Sequence, residues 1–195
     1  MEKHRKQTMS LVILLGMAGA LPGSTVVPLS FKDLSAKAHR IAIGRIDRII
    51  SYRDANDGRI VSKIDITETH SVSGAAPAAF SFTMEGGTVD GIRQLISGFP
   101  SFEAGDRVVL FLAEDTSTPF GPTLGLWQGV FFVQTDANGV ETMTDHRRRP
   151  LAELRGDQVV VSSSPPAGVV RAGQPETRVT LDAFLGKVRG LRGSR

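Results

Sequence analysis

The sequence contains no cysteine and few aromatic residues, with one tryptophan and one tyrosine among its 195 residues. Without cysteine the chain can form no disulfide, and it can supply neither a catalytic thiolate nor a thiolate ligand for zinc. At 41% apolar and 22% charged residues the composition is nevertheless that of a globular protein. The fold must therefore be held together by apolar burial and hydrogen bonds.

The chain also lacks an apolar run long enough to span a bilayer, which takes about 20 residues. The short apolar stretch Leu11 to Ala18 follows the basic residues Lys3, Arg5 and Lys6 and runs into a small-x-small triplet that ends at Ala20. This order is typical of a cleavable signal peptide. We therefore expect residues 1–20 to be removed on export, which places the mature chain in the periplasm or outside the cell, with no membrane span.

A strong net charge is absent as well. The whole chain carries +3, but removal of residues 1–20 takes away three of the 23 Lys and Arg residues and one of the 20 Asp and Glu residues, which leaves 20 against 19 and a net charge of +1. Domains that bind nucleic acid usually present a dense basic face. The balance disfavours nucleic acid as a partner and leaves a protein or a saccharide open. The basic cluster His146 to Arg149 fits a solvated turn better than a phosphate site.

Familiar catalytic and cofactor-binding motifs are missing. The glycine-rich stretch Met84 to Leu112, MEGGTVDGIRQLISGFPSFEAGDRVVLFL, matches neither phosphate-binding glycine motif and contains no lysine. No G-x-S-x-G elbow and no H-E-x-x-H pair occurs, and His70 falls on the apolar face of its predicted strand, which favours a core histidine over a ligand. The sequence therefore predicts no catalytic residue, no cofactor and no metal site.

Apolar and polar residues alternate along much of the sequence, and this two-residue period indicates antiparallel strands with one face buried. In RIAIGRIDRIISYRD the apolar positions change from Ile41 and Ile43 to Ile46 and Ile50, and a slip centred on Gly44 predicts a β-bulge. The turn DANDG then leads into a second alternating strand. Further strands are predicted at FSFTM, at RVVLFL as a central strand, at GLWQGVFFVQ with a break near Gln128 and Gly129, at VETMT after the turn DANG, and at QVVVSS as an edge strand.

Helical spacing is confined to the two ends of the mature chain. Ser30 is predicted to cap a short helix that carries Phe31, Leu34 and Ala38, and residues 162–177 read as a linker rich in proline, glycine and serine. Residues 178–195 then contain an amphipathic helix capped by Thr180, followed by a basic tail. Its apolar face, which we expect to pack back on the domain, consists of Leu181, Phe184, Leu185 and Val188.

The order of these elements resembles a group of uncharacterised exported bacterial domains. The resemblance rests on AHRIAIGRID, SKIDITETHSVSG, EGG, FEAGDRVVLFL and QGVFFV, which occur in the group's order between Leu29 and Val133, although SVSG stands where a lysine-glycine pair is usual. Some of these domains stand upstream of secreted zinc peptidases. Their plan is similar in turn to the OB-like barrel of netrin-type modules, including the tissue inhibitors of metalloproteinases. The resemblance implies a mainly β domain over residues 21–161, a partly open antiparallel OB-like barrel of five to six strands.

The inhibitors chelate the target zinc with an N-terminal cysteine, so that mechanism cannot apply to this chain, and fold likeness alone does not deliver function. We therefore expect an exported, non-enzymatic binding or interaction module with an unknown protein or saccharide ligand, and the resemblance implies an association with secreted peptidases. Two alternatives stay open. The barrel face could bind a saccharide or an oligonucleotide, or the protein could be an enzyme of unrecognised type that uses loop 87–104. The ligand surface is predicted to include Gly86, Gly87, Asp90, Arg93, Trp127 and Gln128.

Overall fold

The computed structural model describes residues 26–75, 77–114, 121–162 and 178–193. The predicted signal peptide and all but the first residue of the predicted linker lie outside these ranges. The described residues form two helices, α1 (Phe31–Lys37) and α2 (Leu181–Gly193), and one 3-10 turn (Leu126–Gly129). Their strands are β1 (Arg40–Arg53), β2 (Ile60–Ser73), β3 (Phe80–Glu85), β4 (Gly87–Val89), β5 (Ile92–Gln94), β6 (Arg107–Leu112), β7 (Val130–Thr135), β8 (Glu141–Thr144), β9 (Leu151–Arg155) and β10 (Gln158–Val161).

Six of these strands form one antiparallel sheet in the order β3-β2-β1-β6-β7-β8. The predicted mainly β class is confirmed, and so is the central place of β6. The sheet stays open, because the outer side of β8 is taken by the residues that lead into α2: the Met143 amide donates to the Val179 carbonyl at 2.9 Å, and Thr142 bridges to Thr180. The sheet is therefore not a closed barrel.

A register shift occurs at the predicted position, between Ile43 and Arg45 in the pairing of β1 with β2, but the bulged strand is β2. Two steps along β1 face three along β2, from His70 to Thr67, while β1 pairs with β6 through Gly44 without a shift, so the predicted bulge in β1 itself is wrong. Ile41 and Ile43 belong to one apolar cluster and Ile46 to another. The two clusters lie on opposite faces of the sheet, since successive strand side chains alternate and Ile46 is three residues beyond Ile43. A single long strand thus contributes to both cores.

The two helices cover the first face of the sheet. Four phenylalanine rings meet there, with every pair of ring centroids 5.0 to 6.3 Å apart: Phe31, Phe111, Phe131 and Phe184. Ser30 caps α1 as predicted, because its Oγ accepts from the Asp33 amide at 3.0 Å. The predicted apolar face of α2 is buried, which confirms that this helix packs on the sheet.

The second face is covered by a chain segment rather than by a helix. Phe99 and Phe102 pack against the cluster that contains Phe82, Leu110 and Phe132. They lie between β5 and β6, in the second part of the predicted loop 87–104. The first part of that loop is a hairpin instead, since β4 and β5 pair with each other. Asp90 and Gly91 occupy its turn with φ of 52° and 76°, the positive values that a two-residue hairpin turn requires.

Two further predictions are corrected. The residues before β7 form a 3-10 turn instead of a strand, and Leu126 there has a φ of 61°. His70 is exposed rather than in the core, because Glu68 has a φ of 51° at an irregular point of the pairing, and the alternation beyond it is reversed. The predicted edge strand β10 is present, but it pairs with the unpredicted β9 in a separate ribbon.

Candidate functional site

A pocket of about 260 Å³ lies between the second face of the sheet and the segment that covers it. Its floor comes from three neighbouring strands, with Ile49 on β1, Ile64 on β2 and Met84 on β3. Phe99 and Phe102 form a wall, and Phe102 is held by an edge contact with the ring of Phe82 at 6.1 Å and a tilted contact with the ring of Phe132 at 5.9 Å. The pocket is therefore an open continuation of the second core, with an apolar lining that is fixed by packing.

Two serines interrupt this apolar lining. Ser51 and Ser62 face each other across β1 and β2, with their Oγ atoms 2.9 Å apart, and the Ser62 Oγ donates to the Gly86 carbonyl at 2.7 Å. A hydroxyl has one hydrogen to donate. Since the Ser62 hydrogen is used on Gly86, the Ser51 hydrogen must point to Ser62. The Ser51 oxygen then keeps its lone pairs and can accept a hydrogen bond from a ligand.

The glycines Gly86 and Gly87 let the backbone approach this serine pair. A Cβ atom on Gly87 would lie 2.4 Å from each of the Ser51 and Ser62 Oγ atoms, and the φ of Gly87 is 137°. Gly86 has a φ of 100° and donates from its amide to the Ile60 carbonyl at 2.8 Å. These glycines therefore serve a close backbone contact in the pocket wall, a purpose different from cradling a phosphate.

The β4–β5 hairpin supplies the remaining polar groups. The Oε1 of Gln94 accepts from the Ile60 amide at 3.2 Å, while its amide nitrogen has no hydrogen-bond partner among the described residues. Two ionisable residues line the pocket, Glu85 and Arg93. Glu85 is paired with Arg59, and no carboxylate of the described ranges pairs with Arg93. The pocket thus offers a cation that no described carboxylate neutralises, an amide donor and the Ser51 hydroxyl acceptor above an apolar floor, with the hydroxyls of Thr88 and Ser101 also in its lining.

The structure brings together three of the six predicted ligand residues. Gly86, Gly87 and Arg93 line the pocket, whereas Asp90 occupies the exposed turn of the hairpin. Trp127 and Gln128 lie outside the pocket lining. The ring of Trp127 is 6.0 Å from that of His146 and packs on Gly98, where an added Cβ would come within 2.9 Å of it.

Gln128 has a structural role in joining the N-terminal segment to the 3-10 turn. Its Oε1 accepts from the Leu29 amide at 2.6 Å, and its Nε2 donates to the Val27 carbonyl at 3.1 Å. Sequence reasoning missed Ser51, Ser62 and Gln94. The two serines were detectable in principle, because each is a polar residue within an apolar stretch and they are placed almost symmetrically about the turn DANDG.

The basic cluster at His146 is part of the fold. Arg148 pairs with Asp106 at 2.8 Å and Arg149 with Asp145 at 2.7 Å, so two of its three arginines are neutralised. Burial lowers the pKa of His146, whose Nε2 is buried without a hydrogen-bond partner in the described structure. The cluster thus forms the turn that the sequence favours over a phosphate site.

No group of three or more potential metal-ligating side chains occurs within the described ranges. Among the same residues no helix is both long and apolar enough to cross a membrane. Compared with known proteins, the chain matches no protein-family model, no curated protein and no solved structure, so the likeness to exported OB-like domains stays a prediction.

Proposed function

We propose that the protein is an exported, non-enzymatic binding module, and that its ligand occupies the pocket beneath the β4–β5 hairpin. The observation that carries the proposal is the pocket's composition. An apolar floor with a few converging polar groups is typical of ligand-binding sites. The sequence of residues 1–20 supports export, and the likeness to domains found beside secreted peptidases supports a role outside the cytoplasm.

Binding is favoured over catalysis by the partners of the polar groups. A serine nucleophile needs an adjacent base, but Ser51 and Ser62 bond to each other, and the acceptor beyond them is a backbone carbonyl. The pocket lining contains no histidine, and its one acid, Glu85, is paired with Arg59. These groups can position a ligand but offer no acid-base pair.

A small ligand is favoured over an oligosaccharide or a single-stranded nucleic acid. Those polymers are held by stacking on exposed aromatic faces. Trp127 is half-buried against Gly98 and His146, and Phe99 and Phe102 pack against the second core. The lining therefore suits an aliphatic or small apolar group better than a stacked ring.

The proposal is tested by screening small fragments against the mature chain, residues 21–195, with backbone amide NMR. We expect shifts concentrated at Ser62, Gly87 and Gln94. A Gly87→Ala variant should lose binding because its methyl group collides with both serine hydroxyls. Gly58→Ala is the matched control, since Gly58 also has a positive φ, 71°, but nothing lies within 4 Å of its added Cβ. Fragments that bind only elsewhere, or equal binding by both variants, would contradict the proposal.

A further inference from the structure

We infer that the pocket recognises an apolar residue that carries a free carboxylate and an acylated nitrogen, which is the chemistry of a peptide C-terminus or of an N-acyl amino acid. The inference rests on the proposed function, because it names the ligand class of the same pocket. Four features of the lining lead to it: a cation without an ion-pair partner in the described ranges, beside an amide donor; a hydroxyl acceptor; an apolar floor; and a neutralised acid.

The carboxylate is indicated by Arg93 and Gln94. Arg93 lines the pocket without an ion-pair partner among the described residues, and the free amide nitrogen of the adjacent Gln94 can donate beside it. A guanidinium presents donors in a planar fork that matches a carboxylate. Because Arg93 is exposed, water solvates it in the free protein, and a ligand carboxylate can replace that water with a charged hydrogen bond.

The nitrogen is indicated by Ser51. Because its hydroxyl hydrogen is used on Ser62, its oxygen can only accept. A ligand that fills this position must therefore bring an N–H or O–H group. A simple fatty acid has a carboxylate and an apolar chain but no such donor, whereas an acylated amino acid has all three.

Acylation is indicated by the state of Glu85. A free amino acid would bring an ammonium group into the pocket, and a buried cation needs a nearby carboxylate. Glu85 has a side chain only 12% exposed and is already paired with Arg59, which also pairs with Asp57. An uncharged amide nitrogen requires no such partner and is satisfied by the Ser51 oxygen.

The size of the pocket limits the ligand to about one residue. A volume of about 260 Å³ lies just below the range of about 300 to 1,000 Å³ that is usual for small-molecule pockets. An aliphatic side chain can rest on Ile49, Ile64 and Met84. The rest of a longer peptide would extend past Leu95, which lines the pocket and is 69% exposed.

The test is isothermal titration of the mature chain with a set of leucine derivatives. N-acetyl-leucine is the main probe, and N-acetyl-leucinamide, free leucine and 4-methylpentanoate each lack one of the three recognised features. We expect N-acetyl-leucine to bind most tightly. Arg93→Gln should weaken its binding roughly tenfold to hundredfold, since a hydrogen-bonded charge is lost, but leave N-acetyl-leucinamide unchanged. Arg53→Gln, on an exposed arginine outside the pocket, should change neither.

Ser51→Ala provides a second variant that leaves the charges in place. This variant should bind N-acetyl-leucine only as tightly as it binds 4-methylpentanoate. Its affinity for 4-methylpentanoate should equal that of the parent protein. The peptide acetyl-Gly-Gly-Leu distinguishes the two sources of this chemistry: tighter binding than N-acetyl-leucine supports a peptide C-terminus, and binding of N-acetyl-leucine alone supports a small metabolite.

Equal affinity for N-acetyl-leucine and N-acetyl-leucinamide would overturn the inference. If none of the carboxylates binds while neutral fragments still shift the amides of Ser62 and Gly87, the ligand class is wrong and the proposed function stands. If neither carboxylates nor fragments shift these amides, the proposed function fails as well.

Discussion

Arg148 holds Asp106 with both terminal nitrogens of its guanidinium: Nη1 donates to Oδ1 at 3.0 Å and Nη2 to Oδ2 at 2.8 Å. Nη2 also donates to the Ser101 carbonyl at 3.3 Å, and the guanidinium lies 4.2 Å from the centroid of the Phe132 ring. These contacts connect the turn after β8 to the segment that covers the second sheet face. The same segment carries Phe99 and Phe102, which form the pocket wall.

Arg148→Lys should destabilise the protein by about 1 to 2 kcal/mol, because lysine keeps the charge but loses the two-pronged hydrogen bond and the flat contact with Phe132. The neighbouring Arg147→Lys is the matched control, since Arg147 is exposed and its backbone rather than its side chain bonds to Asp145. Urea unfolding monitored by circular dichroism measures the free energy of unfolding of both variants. A similar loss in the two variants would show that the pair between Arg148 and Asp106 contributes nothing specific.

Gly44→Ala should destabilise the protein by about 1 to 3 kcal/mol. The added Cβ would lie 2.4 Å from the Cγ2 of Ile66, which is 1% exposed and has no room to move away. This cost exceeds the gain of about 0.5 to 1 kcal/mol that alanine brings over glycine in a strand. Chemical denaturation measures the difference in the free energy of unfolding, and a variant as stable as the parent would mean that the packing of Gly44 on Ile66 tolerates a side chain.

Gly186→Ala should have the opposite effect and stabilise the protein by about 0.5 to 1 kcal/mol. Gly186 lies inside α2, it is exposed, and nothing lies within 4 Å of an added Cβ. Alanine is the better helix former because it has less backbone freedom to lose on folding. The same denaturation experiment serves here. A variant with unchanged stability would indicate that α2 frays before the sheet unfolds, so that its helicity is not coupled to global stability.

The parts of the fold that sequence predicted correctly are those determined locally. The cap at Ser30, the central place of β6 and the buried face of α2 each follow from the apolar pattern or from one residue's conformational preference. The hairpin at Asp90 and Gly91 could also have been predicted, because Asp-Gly between Val89 and Ile92 is a strong turn pattern. It was overlooked because its strands are only three residues long.

The site was less predictable because it depends on distant residues meeting. In sequence Arg147, Arg148 and Arg149 look alike, and only the fold shows that Arg148 reaches Asp106. Likewise Arg93 gives no sign in sequence that it stays unpaired while Arg59 pairs with Glu85. Trp127 attracted notice as the only tryptophan, yet its packing on Gly98 depends on a contact across the fold that no local pattern indicates.

Phe99→Ala should both destabilise the protein, by about 2 to 4 kcal/mol, and enlarge the pocket. Phe99 packs on the second core, and the next residue, Pro100, is buried. Deletion of residues 91–100 is therefore expected to damage folding as well as binding. Thermal unfolding measures the loss. Leu95→Ala is the control, because Leu95 lines the same pocket but is 69% exposed, and its removal should change stability little.

Asp65 should make stability depend on pH in acid. Hydrogen bonds from Ser81 at 2.7 Å and from Arg48 at 2.8 Å lower the pKa of this carboxyl from 3.8 to about 2. Because the folded state holds the proton less tightly than the unfolded state, the stabilisation is fully present above a pH of about 4. It is lost as the pH falls from there through the folded value of about 2.

Asp65→Asn should therefore have a lower urea midpoint than the parent protein at pH 7, and the difference should shrink below pH 4 and disappear only below pH 2, where the carboxyl of the folded parent is protonated too. Comparing the two proteins at each pH removes the contribution of all other carboxylates. Asp47→Asn is the control for loss of one negative charge on the neighbouring strand, because Asp47 is exposed and forms no ion pair within the described residues. A difference that stays constant from pH 7 to pH 2 would show that Asp65 stabilises the fold through its shape and hydrogen bonds, independently of its ionisation.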